Sequence, residues 1–487
     1  MTSKFRKVLF PIENNEMKKF LSLAILMLLI IFCNTLLRNL KDTLIVMTNG
    51  AFSLAFVKTW FVLPLMFVFF FVYSKLSNHF QPSSIFCGII LAFMLVFAVF
   101  GFVIHPYVDF FKLTSIYSYL PDSFLHGGLY HLAVLIEYWP FTFFYFISEL
   151  WSSVMISLLF WQFTNSFVST DQAKRFYPLF GQIADFGMIM GGITLVLLSR
   201  ETSQNYQRSW EHSFAYFTII LLVTSTAILF LYRYINKNIV PMDTEEKGNQ
   251  TKKKTTLSIK DSLKHVANSP YLSHMAVMVL CFAVTSNLLE ISWKYYIESY
   301  SETKNEFTTL LGYFSVATGV STILLMSVGS LCLRFFGWRI GALIPPIFIL
   351  ISGLSFFSSV YLENFLDVKL QAIGSSFLFL VIVLGSLTNI FGKSIKYALF
   401  DPTKEMAYLP LDQESKVKGK AAVDVVGVRL GKSAGSLIQQ GVFAFFTNFS
   451  SAFIYLLGTL VVMCLFWIRS INILSLLYKK RLEYSED

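Results

Sequence analysis

Charge is what this chain has least of. Asp, Glu, Lys and Arg make up 14% of its 487 residues, against about a quarter in a soluble domain, and that excludes an ordinary water-facing surface. Cysteine is almost as scarce: Cys33, Cys87, Cys281, Cys332 and Cys464 are scattered, with no C-x-x-C and no cysteine–histidine cluster. Neither a disulfide framework nor a structural zinc site is indicated. Each cysteine lies in or beside an apolar stretch and reads as a small core residue. No Ser/His/Asp constellation or metal-ligand spacing stands out, so no enzyme, metal or cofactor is called for. Three of the seven histidines (His105, His126 and His131) fall in one connecting segment, where solvated surface is the expected role. No cleavable signal peptide is expected, because polar residues rather than an A-x-A site follow the first apolar stretch. GKS occurs at 392–394 and 431–433, but a P-loop needs Gly five residues before the Gly-Lys pair. Leu387 and Val426 stand there, and the P-loop reading fails.

Apolar residues are what the chain has in abundance. It is 55% hydrophobic and 17% aromatic, with 52 Phe in runs such as PLMFVFFFVY (64–73), and its mean hydropathy is +0.61. The segments do not alternate as barrel strands do, so the fold expected is an all-α polytopic membrane protein. Segments of membrane length fall at about 20–40, 55–73, 85–104, 132–163, 177–199, 214–232, 272–293, 308–333, 341–361, 370–391, 421–447 and 452–473, which makes twelve transmembrane helices. The fourth is long enough to tilt strongly or to extend beyond the bilayer. With the N-terminus inside, the cytoplasmic pieces hold 27 Lys and Arg and the opposite loops hold 7. That asymmetry supports twelve spans with both termini cytoplasmic. The net charge of +10 is thus mainly topology, and no nucleic-acid partner is needed to explain it.

A polar stretch at 233–271 divides the spans six and six and reads as a flexible linker. Its KKK run (252–254) suits anionic lipid headgroups. The organisation expected is a cytoplasmic segment 1–19, an N-terminal half 20–232, the linker, a C-terminal half 272–473 and a tail 474–487. The halves share traces of a repeat. TLLRNLK (35–41) lies over NLLEISW (287–293), Thr164-Asn165 over Thr388-Asn389, and glycine-rich GQIADFGMIMGG (181–192) answers DVVGVRLGKSAG (424–435). Two parallel halves about a central pathway is a major-facilitator-like architecture.

The few charges inside the spans then stand out. A cation at bilayer depth costs roughly +2.5 to +17 kcal/mol unless it meets a partner or a cavity. Arg38, Lys58, Glu149, Glu290, Arg429 and Lys432 are the candidates. Gly427, Gly431 and Gly435 form a small-residue ridge for close helix contact. At 100° per residue Asp424, Val428, Gly431, Lys432, Gly435 and Gln439 form a stripe able to face a wet cavity. Glu290 has Asn287 one turn before it and Lys294 one turn after. Lys58, at the start of its span, could instead snorkel to the interface, and Lys432 could simply pair with an acid. Cations on otherwise apolar helices suit an anionic cargo.

These segments resemble the nucleotide transporter (ATP/ADP translocase) family of obligate intracellular bacteria and plastids over nearly the whole chain. The likeness runs through PIENNEMKKFL (11–21), TLLRNLKDTLIV (35–46), FVKTWFVLP (56–64), YFISELWSSVMISLLFWQFTN (145–165), DQAKRFYPLFGQIAD (171–185), NLLEISWK (287–294), KYALFDPTKEMAYLPLD (396–412) and KVKGKAAVDVVGVRLGKSAG (416–435). The resemblance implies a membrane antiporter in the inner membrane of an intracellular bacterium or a plastid-like compartment, exchanging host ATP for ADP. It implies transport roles for Lys58, Glu149, Glu290 and Lys432. One departure is Ser152, where many relatives carry Gly after the Trp. The alternatives are a proton-coupled importer of another nucleotide (GTP, UTP, CTP or NAD) and a non-transport membrane scaffold. ATP, ADP and membrane lipids are the partners expected, and the parallel halves suggest a monomer.

Overall fold

A backbone in lipid must satisfy its own hydrogen bonds, and a helix does so within one segment. The computed structural model describes residues 12–113, 128–200, 209–239, 259–370, 377–412, 415, 419–420, 423, 427–446 and 449–486, and it contains no strand among them. The first half comprises α1 (Met17–Asn49), α2 (Ser53–His79), α3 (Pro82–Ile104), the short α4 (Gly128–Glu137), α5 (Trp139–Phe167), α6 (Thr170–Ser199) and α7 (Trp210–Asn238). The second comprises a short α8 (Ile259–Asn268), then α9 (Pro270–Tyr300), α10 (Lys304–Leu370), α11 (Phe377–Tyr408), α12 (Val428–Phe445) and α13 (Phe449–Glu486). Ten of these are long and apolar enough to cross a membrane. One, α10, is double length and folds back at Gly337, whose φ of +76° only glycine adopts without strain. With α12, which carries Arg429 and Lys432, the spans among the described residues number twelve, six in each half.

Local chemistry sets the helix ends and their irregular turns. Ser169 and Gln172 form a reciprocal capping box at the start of α6, and the Ser209 and Ser269 hydroxyls cap α7 and α9. Wide π-type turns interrupt α2 at Val57–Val62, α3 at Phe100–Ile104, α5 at Ser152–Phe160 and α11 at Lys396–Phe400. Three of the four stand two residues before a proline: Pro64, Pro106 and Pro402. Proline has no N–H to donate and its ring crowds the carbonyl one turn back. A widened turn relieves that crowding and shifts the register of the side chains it carries.

Burial identifies the axis of the molecule. The apolar windows of α1 and α9 are 67% and 72% buried, against 28–50% for the other spans. Those two helices stand at the centre. Phe71, Leu197 and Phe335 are among many large apolar side chains on the rim, where lipid replaces water. Along one side α6 meets α10 across Gly192 and Gly312. A Cβ on either would lie 2.7–2.9 Å from the other's carbonyl oxygen.

The structure revises several sequence expectations. The long fourth segment is two helices, α4 and α5, broken at Tyr138 (φ −91°, ψ 44°). Spans 1 and 7 run past residues 40 and 293, to Asn49 and Tyr300. Lys41 and Lys294 are therefore buried inside helices rather than in outer loops. Lys393 likewise belongs to α11. His105 is buried, not solvated: it stacks on Phe214 at 4.1 Å and accepts a hydrogen bond from the Trp210 indole at 3.0 Å. Residues 252–254, His126 and Asp424 lie outside the described residues.

Candidate functional site

The wide turn of α2 carries Lys58, and α5 enters its own wide turn just after Glu149. These two helices face α12 across a cavity of about 470 Å³, within the range of small-molecule sites. Lys58 and Glu149 from the first half, and Arg429 and Lys432 from the second, line it together. Ser152, Ser153, Ser157 and Ser433 add hydroxyls, while Val62, Leu63, Met66 and Phe70 form an apolar wall. From Lys58, Glu149 and Lys432 the lining continues toward the C-terminal ends of α2 and α5 and the N-terminal end of α12. Among the described residues the Lys432 and Arg429 side chains make no ion pair or hydrogen bond, and the Arg429 guanidinium lies 4.8 Å over the Phe70 ring.

Behind the cavity runs a relay of charges. Lys58 Nζ donates to Asn287 Oδ1 at 3.1 Å and stands 3.8 Å from Glu290 Oε2. Glu290 Oε1 accepts from Lys294 at 3.0 Å and lies 3.5 Å from Lys393. Lys294 also reaches Asp42 Oδ2 at 2.7 Å, Asp42 Oδ1 takes Lys41 at 3.1 Å, and Lys41 reaches Glu149 Oε1 at 2.8 Å. The Tyr145 ring lies 3.7 Å from the Lys41 ammonium, a cation–π contact. Each acid is matched by at least one lysine. That suits groups withdrawn from water, since an uncompensated buried charge costs several kcal/mol.

At the end expected to face outward, contacts join the halves. Asn39 donates to Ser315 at 3.0 Å, Thr43 and Thr308 share a hydrogen bond of 2.9 Å, and Trp60 donates to Gln440 at 2.9 Å. The Ala51 amide donates to Glu298 at 2.8 Å, and the Phe52 and Phe443 rings meet at 3.8 Å.

Of the residues singled out from sequence, Lys58, Glu149, Arg429 and Lys432 line one chamber, and Glu290 joins it through Lys58. Lys58 does not snorkel. Arg38 is elsewhere: it is half-buried, with Met188 Sδ 3.9 Å away, and is not part of the lining. The expected α12 stripe divides. Gly431 and Gly435 face α9, where Cβ atoms would stand 2.6 Å from Ala283 Cβ and 3.2 Å from Val284 O, while Lys432 points into the cavity. Sequence reasoning misses Lys41, Asp42 and Lys393 and assigns Lys294 to a loop. Hydropathy ends a span at its charges, so charges near a helix end pass for loop. The adjacent Lys41-Asp42 inside TLLRNLKDTLIV, and the four-residue spacing of Glu290 and Lys294, were the signals available.

Comparison with known proteins decides what this chamber belongs to. Residues 1–478 match the family profile described as TLC ATP/ADP transporter. The chain belongs to that family. It is 37% identical to ADP,ATP carrier protein 1 of Chlamydia pneumoniae, over 98% of this chain and 94% of the relative. ADP,ATP carrier protein 3 of Rickettsia prowazekii (strain Madrid E) is 35% identical, with 98% of both chains covered. The chloroplastic ADP,ATP carrier protein 1 of Arabidopsis thaliana is 35% identical over 94% of this chain and 74% of its own. Among solved structures, a bacterial homologue of the iron transporter ferroportin aligns with a TM-score of 0.59 at 14% identity, over 93% of this chain and 99% of that one. The xylose transporter XylE from E. coli aligns at 0.54 and 11% identity, over 94% and 95%. These last two bear on fold alone, and they place this TLC transporter in the major-facilitator architecture.

Proposed function

We propose that this TLC transporter is an inner-membrane antiporter that takes up ATP in exchange for ADP by alternating access. The observation that carries the site assignment is the sharing of one cavity by ammonium groups from opposite halves, Lys58 and Lys432. ATP near neutrality carries about four negative charges and sheds water as it enters a narrow chamber. Lys58, Lys432 and Arg429 replace that water with charge-assisted hydrogen bonds to phosphate oxygens. The serine hydroxyls extend the polar wall, and the apolar wall at Met66 and Phe70 receives the less polar end of the nucleotide. Glu290 holds Lys58 when cargo is absent, Glu149 holds Lys41 behind the lining, and Arg38 acts from outside the lining. The two halves, 20–232 and 272–473 joined by 233–271, rock about the site. The functional unit is a monomer embedded in lipid, since the two halves that border the chamber belong to the same polypeptide.

The test is uptake of labelled ATP by proteoliposomes preloaded with ADP. Uptake that needs internal ADP, and that excess unlabelled ATP or ADP suppresses, is the expected result. Equal uptake into empty vesicles, or suppression by another nucleotide in preference to ATP and ADP, would overturn this reading.

A further inference from the structure

Asp42 is the least accessible acid of the relay and touches no part of the cavity, yet it joins the two halves. Its side chain is 4% exposed, and so is that of Lys41; the Lys294 side chain is 3% exposed. One carboxylate oxygen holds Lys41 of its own helix and the other holds Lys294 of α9. Both lysines are shared, Lys41 with Glu149 and Lys294 with Glu290. Asp42 thus links Glu149 of one half to Glu290 of the other.

We propose that the Asp42–Lys294 pair is a latch released by cargo, and that it is what ties transport to exchange. This rests on the exchange reading above. The loosest contact of the relay is Lys58 with Glu290, at 3.8 Å and on the cavity side. An anionic phosphate drawing Lys58 toward itself leaves Glu290 with less positive charge. Lys294, already 3.0 Å from Glu290 Oε1, then shifts its hydrogen bonding from Asp42 to Glu290. The 2.7 Å pair that crosses the halves is lost, and the outer end opens. Without cargo Lys58 stays on Glu290, the latch holds, and the empty carrier does not turn over. Asp42 is therefore a positioning residue, acting on cargo only through its lysines.

The test uses the full-length protein in proteoliposomes, comparing uptake of labelled external ATP with and without internal ADP. Uptake by the wild type requires internal nucleotide, because only cargo opens the outer end. Asp42→Asn keeps the shape and removes the charge, and it raises uptake into vesicles without internal nucleotide by about tenfold or more, as a ~1.4 kcal/mol shift in a two-state balance does. Asp42→Glu restores the requirement. An Asp42→Asn protein that exchanges and leaks no more than wild type overturns the proposal. If that variant transports nothing, labelling decides. Thr308→Cys, at the Thr43 contact on the outer side, is placed in a background without the five native cysteines. In right-side-out membranes free of nucleotide, an impermeant thiol reagent labels it faster when Asp42 is Asn. An unchanged rate counts against the latch. If Asp42→Asn does not reach the membrane, Lys294→Gln breaks the same pair and is read in the same way. Labelling needs no nucleotide, so it judges the latch even if wild-type exchange fails.

Discussion

Lys432 sits next to Gly431 on α12, about 100° further round the helix. That single step separates a glycine pressed against α9 from an ammonium in a water-accessible chamber. With no side-chain partner among the described residues, Lys432 has its hydrogen bonds available for cargo. Replacing it with Gln removes a hydrogen bond to a charged group, worth about 1.5–3 kcal/mol, and leaves no buried acid newly unpaired, because Glu149 keeps Lys41. Lys432→Gln is expected to lower the kcat/KM of exchange by roughly tenfold to a hundredfold. The amount of protein in the membrane should stay near wild type. Immunoblot and initial-rate uptake, measured on the same vesicles, check both halves of this expectation.

At the scale of elements, two devices aim these side chains. Wide turns before Pro64 and after Glu149 reset the register of α2 and α5 where they border the cavity. Small residues let α12 lie close enough to α9 for Asn287 to donate to the Lys432 carbonyl at 3.2 Å and the Ser436 hydroxyl at 3.0 Å. A Cβ at Gly431 would meet Ala283 Cβ at 2.6 Å. Gly431→Val therefore forces α12 outward, at a cost of about 1–3 kcal/mol. The expected outcome is a lower unfolding temperature in detergent together with weaker exchange, since Lys432 moves with its helix. Retention of both at wild-type values would contradict the packing described.

For the whole molecule, the two ends of the cavity behave differently. In the orientation expected from loop charge its outer end is held by pairs that cross the halves, and its lining extends the other way along α2, α5 and α12. Rocking of the halves must separate these outer pairs before cargo can leave on that side. Thr43 and Thr308 have hydroxyl oxygens 2.9 Å apart, which places cysteine sulfurs at these positions close enough to oxidise to a disulfide. A protein carrying Thr43→Cys and Thr308→Cys is expected to form that bond under oxidation and to stop exchanging. Reductant should restore exchange. Uptake by preloaded proteoliposomes, before and after reductant, is the measurement.

The number of the spans was legible in the sequence, because the cost of placing charge in lipid is written into hydropathy residue by residue. Lys58, Glu149, Glu290 and Lys432 were legible for the same reason, being charges deep inside apolar runs. Lys41, Asp42 and Lys393 were not. Whether a charge near a helix end is loop or core depends on what stands opposite it. For Asp42 that is Lys294, 252 residues away. Sequence also allowed Gly431 and Lys432 one shared face, and only α9 against α12 assigned them separate ones. Lipid, which is everywhere the same solvent, decides where helices run. Which charges meet across the two halves is a matter of distances of a few ångströms, and those exist only once the halves have closed on each other.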